Sequence, residues 1–114
     1  MMLIKVDEAA SPDSPSEELM TEMGKLLEEM TKAGAMLDTG GLQSRDDSTE
    51  VRLSGGKLTV VDGPFTEAKE VVGGYFIFQA KTKEEAVEWA SRFLAIHGDA
   101  WTITGEIRQV MEPE

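Results

Sequence analysis

The chain contains no cysteine, and this absence excludes several kinds of chemistry. Because none of the 114 residues is a cysteine, disulfides, thiolate nucleophiles and cysteine-ligated zinc sites are excluded. Histidine is almost absent too, since His97 is the single example. The sequence has no metal-binding histidine pair, no Ser–His triad and no glycine-rich phosphate loop. We therefore predict no metal and no cofactor. The lack of cysteine also suits a cytoplasmic protein, which is the location that we predict.

Basic residues are scarce relative to acidic ones. The chain has 11 lysines and arginines against 22 aspartates and glutamates, which gives a formal net charge of −11. Nucleic-acid binding is not expected, because no basic stripe is present to neutralise phosphates. Anionic membrane surfaces are disfavoured for the same reason. The sequence also lacks the run of about 18 apolar residues that a membrane-spanning helix needs. We predict a protein without nucleic-acid or membrane partners.

The length and composition are those of one globular domain. Apolar residues make up 40% of the chain and charged residues 29%, which is ordinary for a protein with a single core. We therefore predict one domain over residues 1–114.

Two segments carry the signals of amphipathic helices. The first follows Ser14, which we predict as the N-cap of a helix that ends at Gly34. Its apolar stripe consists of Leu19, Met20, Met23, Leu26, Leu27 and Met30. The second helix is predicted to begin at Thr82 and to end before Gly98.

The remaining segments read as strands. A β-hairpin is predicted over residues 49–61, because two alternating runs flank a Gly55-Gly56 turn. The other predicted strands cover residues 2–6, 35–39, 71–80 and 101–110. The order is therefore β-α-β, hairpin, β-α-β. This order predicts an α+β fold of the ferredoxin-like split βαβ type with an inserted β-hairpin.

One predicted strand contains an apolar run without alternation, Tyr75-Phe76-Ile77-Phe78. Such a run indicates a strand that is buried on both faces. Both helices of a ferredoxin-like fold cover the same face of the sheet, so the second face needs another cover. We predict that a second copy of the chain covers it in a twofold homodimer. The alternative is a loop that folds over this face.

The most distinctive segment is Asp62–Glu70, which follows the hairpin directly. Asp62-Gly63-Pro64 is a rigid turn that holds a carboxylate at a strand end, and Phe65 supplies an apolar wall. We predict a short helical turn over residues 66–70, in which Glu67 and Glu70 would share one side and the neighbouring carboxylates could divide the roles of acid and base. Lys69 can stabilise an anion. The alternative is an ordinary turn followed by a solvated helix surface.

The last strand places Glu106 and Arg108 on one face. Two interpretations stay open at this point. The two side chains pair with each other, or Arg108 holds a substrate carboxylate through two hydrogen bonds.

The motif Asp62-Gly63-Pro64-Phe65 with Glu67 and Lys69-Glu70, followed by the Gly73-Gly74-Tyr75 strand, resembles the DGPF-type branch of the YCII-related proteins. The similarity extends over nearly the whole chain. It includes Pro15–Leu19, Gly40-Gly41-Leu42, Val51-Arg52 and Glu106-Ile107-Arg108.

The resemblance implies a dimeric α+β barrel of ferredoxin-like protomers with a pocket near the motif. It also implies a small bacterial cytosolic protein, and some members are encoded beside alternative sigma factors. It supplies no established reaction for this branch. Other YCII-related proteins are thought to use a His–Asp pair, which cannot be transferred here because the first half of the chain has no histidine. His97 stands at the predicted end of the second helix, where it interacts favourably with the helix dipole.

Two functional hypotheses follow. The first is a small enzyme that performs acid–base chemistry of the lyase or isomerase kind on a small organic molecule. Its candidate catalytic residues are Asp62, Glu67 and Glu70, and its candidate substrate-binding residues are Phe65, Lys69, Tyr75, Glu106 and Arg108. The second is a non-catalytic ligand-binding or regulatory accessory protein, associated with sigma-factor signalling, that uses the same pocket.

Overall fold

The computed structural model describes residues 1–12, 14–43, 45–63 and 71–111. These residues form two helices and six strands, joined in places by single 3-10 turns. The helices are α1 (Glu17–Lys32) and α2 (Lys83–Ala95), and the strands are β1 (Met2–Val6), β2 (Met36–Gly41), β3 (Thr49–Ser54), β4 (Lys57–Asp62), β5 (Val71–Phe78) and β6 (Ile103–Ile107). In this part of the chain, neither helix has the length and apolarity needed to cross a bilayer.

The sheet topology confirms the predicted fold class. Four strands form an antiparallel sheet in the order β2–β5–β1–β6, and the hairpin β3–β4 forms a separate two-stranded sheet. The order places the first and last strands side by side, as a split βαβ arrangement requires. The α+β, ferredoxin-like prediction with an inserted hairpin is therefore correct.

The first helix begins two residues later than predicted. Ser16, not Ser14, is the N-cap, and its Oγ accepts a hydrogen bond from the Leu19 N–H at 3.1 Å. Both serines fit a capping pattern, and Ser16 places two glutamates in the first turn, where the helix dipole favours them. The predicted end is correct. Gly34 has a φ of +73°, and the Ala35 N–H donates to the Met30 carbonyl in a Schellman motif.

The core lies between one face of the four-stranded sheet and the two helices. Phe76 of β5 is at its centre, 3% exposed, with its ring 4.6 Å from that of Phe93 in an edge-to-face contact. The other buried members of this cluster are Met2, Ile4, Leu26, Met30, Ala35 and Ala90. Met20, which we predicted in the apolar stripe of α1, is instead 60% exposed. The two helices are also joined by a two-pronged ion pair between Arg92 and Glu29.

Strand β5 alternates more regularly than its apolar sequence indicates. Phe76 and Phe78 both pack towards the helices, whereas Tyr75 and Ile77 are half-buried and lie on the opposite face. The period of two in a strand puts Phe76 and Phe78 on the same side, so Tyr75 is the aromatic residue of β5 on the other.

The two glycines of β5 have different structural reasons, a close backbone approach at Gly74 and a bulge at Gly73. A Cβ at Gly74 would lie 2.9 Å from the carbonyl oxygen of Gly40, on the neighbouring strand β2. The register between β1 and β5 also shifts at this place, between Ile4 and Lys5, so that Gly73 is an additional residue. Strand β2 extends through Gly41, two residues beyond the predicted end at residue 39.

The hairpin has the predicted two-residue turn. Gly55 and Gly56 have φ values of +58° and +78°, as a type I′ turn requires. Cross-strand pairing places Val51 opposite Val60 and Leu53 opposite Leu58, so the four apolar side chains share one face of the hairpin.

We expect Gly74→Ala to lower the free energy of unfolding by about 1–3 kcal/mol, because the new methyl group would collide with the Gly40 carbonyl oxygen. Urea denaturation measures the change. The matched control is Gly41→Ala, where a Cβ meets nothing within 4 Å and stability should be unchanged or raised by up to about 1 kcal/mol. Equal stability of the two variants would contradict the close approach.

Candidate functional site

The face of the four-stranded sheet opposite the helices, here called the open face, has an apolar centre. Leu3 of β1 lies directly between Tyr75 of β5 and Glu106 of β6, and Ile77 is two residues further along β5. The side chains of Leu3, Tyr75 and Ile77 are half-buried in the protomer, and they do not belong to the core cluster under α1 and α2. The open face therefore presents apolar surface to whatever covers it.

A network of three charges borders this centre on the β6 side. Lys5 Nζ donates to Glu106 Oε1 at 3.0 Å, and Arg108 Nε lies 3.5 Å from Glu106 Oε2. The ammonium of Lys5, and to a lesser extent the guanidinium of Arg108, lower the pKa of the Glu106 carboxyl below its ordinary value. Glu106 is therefore an ionised group that holds two cations, and its lowered pKa makes it a poor proton acceptor.

Of these two cations, Arg108 is the more accessible. Its side chain is 73% exposed, against 33% for Lys5. The two interpretations of Glu106 and Arg108 are thus compatible in the structure, since Arg108 pairs with Glu106 and keeps most of its surface open to a ligand.

Tyr75 lies across the sheet from this network. Its ring covers Gly40, where a Cβ would come within 2.9 Å of Tyr75 Cε1. The hydroxyl is 3.5 Å from Asp38 Oδ2, at the outer limit of a hydrogen bond. Gly40 therefore leaves room for the Tyr75 ring over strand β2, and the Tyr75 hydroxyl lies near the Asp38 carboxylate.

Asp62 is held separately from these groups. It is the last residue of β4, at the end of the hairpin away from the turn, and it accepts a hydrogen bond from Thr49 Oγ1 at 2.8 Å. Among the described residues, no ion pair or hydrogen bond connects Asp62 with Tyr75, Glu106 or Arg108. The structure therefore brings Tyr75, Glu106 and Arg108 to one face and keeps Asp62 on the hairpin.

The other predicted site residues, Phe65, Glu67, Lys69 and Glu70, lie outside the described residues. Two residues of the open face, Lys5 and Asp38, were not predicted as site residues. A signal for Lys5 was present, because it is a lysine within an otherwise apolar strand and points opposite to Ile4 and Val6. Asp38 had none, because its neighbour Tyr75 is 37 residues away in the sequence.

The single histidine belongs to the helix side of the sheet. His97 Nδ1 is 2.9 Å from the carbonyl oxygen of Phe93, in the last turn of α2, and the ring packs edge-on against Phe93 and Trp101. Burial lowers the pKa of His97, although the Phe93 carbonyl partly opposes this shift. His97 therefore contacts the end of α2, as predicted. The contact is a hydrogen bond between its neutral ring and the Phe93 carbonyl oxygen.

A shallow cleft of about 350 Å³ lies on α2, lined in the described part by Glu85, Glu88, Trp89 and Arg92. All four residues come from one helix, and Arg92 is already paired with Glu29. No three histidine, aspartate or glutamate side chains of the described chain are grouped as a metal site. The open face therefore holds the better arrangement of groups for binding a molecule.

Comparison with known proteins identifies a family. The model of the YCII-related domain matches residues 1–104. A curated relative, described as an uncharacterized protein of Rhizobium meliloti (strain 1021), is 27% identical over 74 residues. The alignment covers 65% of this chain and 60% of the relative, so the match extends over less than two thirds of the relative's length.

We expect the stability of the protein to fall as the pH is lowered from 7.5 to 5.5. The pKa of His97 is lower in the folded chain than its ordinary value of about 6.5, so protons bind the unfolded chain first and favour it. The loss should be below about 1 kcal/mol, because the ring is only half-buried and solvent screens the effect. Urea denaturation across this range measures it. His97→Gln should remove this pH dependence, and an unchanged slope in that variant would assign it to other groups.

Proposed function

This chain belongs to the YCII-related family, and we propose that it is a homodimer that binds a small organic anion on the open face of its sheet. The observation that carries this proposal is the open face itself. An apolar centre of Leu3, Tyr75 and Ile77 borders directly on the network of Lys5 and Arg108. Small-molecule sites commonly combine such an apolar surface with a few fixed polar groups.

The chemistry of the network favours an anionic ligand. Two cations share the single carboxylate of Glu106, so the three groups have an excess of one positive charge. The exposed guanidinium of Arg108 can offer two parallel N–H groups to a carboxylate or phosphate. Tyr75 supplies an aromatic surface for the organic part of the ligand and a hydroxyl near Asp38.

The homodimer is supported by the same face. The two helices cover one side of the sheet, and the half-buried apolar side chains on the other side need a cover. A second copy placed sheet against sheet would supply it and would enclose the ligand, because a twofold contact buries the same patch of both subunits. This arrangement is the dimeric α+β barrel expected from the resemblance.

A second candidate function is acid–base catalysis by Asp62, which lies on the hairpin and not on the open face of its own protomer. Asp62 is a carboxylate fixed by Thr49 at the end of a strand, which suits a proton-transferring group. Its proposed partners are Glu67 and Glu70, with Phe65 and Lys69 as further ligand contacts, all in the segment that marks the DGPF branch. Under this proposal the protein is a cytoplasmic enzyme of the lyase or isomerase kind. Without turnover, it remains a ligand-binding accessory protein of the sort found beside sigma factors.

Arg108→Gln should weaken binding of the best anion from a panel of small carboxylates and phosphates by about 10- to 100-fold, because a charge-assisted hydrogen bond is lost. Thermal-shift screening finds the anion and calorimetry gives its Kd. The matched control is Arg52→Gln, which removes the same charge from the hairpin, where Arg52 pairs with Glu50. If both variants weaken binding equally, the site is not at Arg108. A panel in which no anion stabilises the native protein would contradict the proposed function.

Asp62→Asn separates binding from catalysis. We expect the variant to fold and to bind the same anion, since Asn keeps the shape of Asp and can still accept from Thr49. If the second candidate is right, conversion of the bound compound, followed by NMR, should fall at least about 100-fold, the contribution typical of a general acid or base. Conversion at the native rate would remove Asp62 from the mechanism.

A further inference from the structure

The hairpin carries an uncovered apolar surface, here called the hairpin face, formed by Val51, Leu53, Leu58 and Val60. Each of these side chains is between 66% and 69% exposed. The opposite side of the hairpin is mainly polar, with Val61 as its apolar residue, and contains the Arg52–Glu50 ion pair. The hairpin is therefore amphipathic, and its apolar side consists of residues that are usually buried but are exposed in the protomer.

The hairpin also stands apart from the rest of the protomer. In the described part of the chain, neither β3 nor β4 makes an extended contact with another helix or strand. The radius of gyration is 16.1 Å, against about 13 Å expected for a compact chain of this length. An isolated two-stranded hairpin is only marginally stable in water, so this one needs a partner surface.

We propose that the hairpin is an exchanged arm that packs its hairpin face against the sheet of a second copy, and that it brings Asp62 to the partner's site. This inference rests on the proposed homodimer and deepens it, because each site would then contain residues of both subunits. Asp62 lies on the same side of the hairpin as Val51 and Val60, since it pairs directly with Thr49. Whatever covers the hairpin face therefore also meets Asp62.

In a twofold dimer, the hairpin face can pack either on the partner's hairpin or on the partner's open face, and charge favours the second. Pairing of the two hairpins with each other about an axis that runs along their strands would bring two Asp62 carboxylates together, in a chain that already carries a net charge of −11. Packing against the β6 side of the partner's open face would place Asp62 beside Lys5 and Arg108, two cations that share the single carboxylate of Glu106. The second arrangement is favoured.

The buried area requires both surfaces to belong to one interface. Full burial of a valine or leucine side chain, about 1.5–3 kcal/mol at about 25 cal/mol per Å², corresponds to about 60–120 Å². Four such side chains, each about two thirds exposed, therefore present roughly 200 Å². Two symmetric arms, with the surfaces that they cover, would bury roughly 800 Å², about half of a standard interface. The open faces must supply the rest, so the arms form the margin of the proposed sheet-to-sheet contact.

The first test is the oligomeric state of Val60→Asp, with Thr59→Asp as its matched control. Both variants add one negative charge to the same strand, but Thr59 lies on the polar side of the hairpin, opposite Arg52. Light scattering should show a dimer of twice 12.5 kDa for the native chain and for Thr59→Asp, and a protomer for Val60→Asp. A dimeric Val60→Asp would overturn the exchanged arm and leave the proposed homodimer intact. A native protein that is a monomer would overturn both.

Thiol labelling tests the burial of the hairpin face without a disruptive charge. The native chain has no cysteine, so Val60→Cys and Thr59→Cys each carry a single thiol. In the dimer, maleimide should react at least about tenfold more slowly with the thiol at position 60 than with that at position 59. Equal rates would mean that the hairpin face is open in solution, which contradicts the proposal.

Cross-linking identifies the surface that the arm meets. Thr49→Cys marks the hairpin beside Asp62, and Thr104→Cys marks the open face opposite Lys5. Mixed dimers of these two chains should be joined by a short bismaleimide into a product of twice the protomer mass. A cross-link that forms instead between two Thr49→Cys chains would show hairpin-to-hairpin pairing and would overturn the shared site. The last control is a chain that carries both Thr49→Cys and Thr104→Cys, mixed with an excess of native chain. If its two thiols are joined within one chain, the hairpin packs on its own sheet, which would also overturn the shared site.

Discussion

The burial of Phe76 is the contact on which the arrangement of this protein depends. Its ring packs against Phe93 under the two helices and is almost completely removed from water. Because side chains alternate along a strand, this burial determines that Tyr75 and Ile77 lie on the opposite face. The direct pairing of Leu3 with Tyr75 and with Glu106 then places the charged network beside the same surface. A shift of β5 by one residue would exchange the core and the candidate site.

The two faces of the sheet differ in composition and in how they are covered. The helix side is filled by apolar side chains and closed by the neutral ring of His97. The open side combines a modest apolar area with Lys5, Glu106 and Arg108 at its β6 edge and Asp38 at its β2 edge. Surfaces of this kind suit a ligand or a second subunit better than water. The hairpin repeats the same property on a smaller scale, with an apolar side that its own protomer leaves exposed.

Membership of the YCII-related family agrees with this architecture. The reaction or ligand has to be argued from the residues of the site, because one fold hosts many functions. The lowered pKa of Glu106 suits it to holding cations more than to accepting protons. Asp62 is anchored by Thr49 on a separate element. Any mechanism that joins these carboxylates on one substrate therefore depends on how two elements, and in our proposal two subunits, come together.

The sequence by itself determined the element order, the C-terminal end of α1, the hairpin and its glycine turn, because periodicity, capping and left-handed glycines act over a few residues. It also identified Glu106 and Arg108 as residues of one face, through their spacing along a single strand. Tertiary structure decided that Phe78 joins the core while Met20 does not. It also joined Lys5 to Glu106 across 101 residues of chain, and Asp38 to Tyr75. These contacts depend on strand register, which arises from packing of the whole sheet and leaves no local pattern in the sequence.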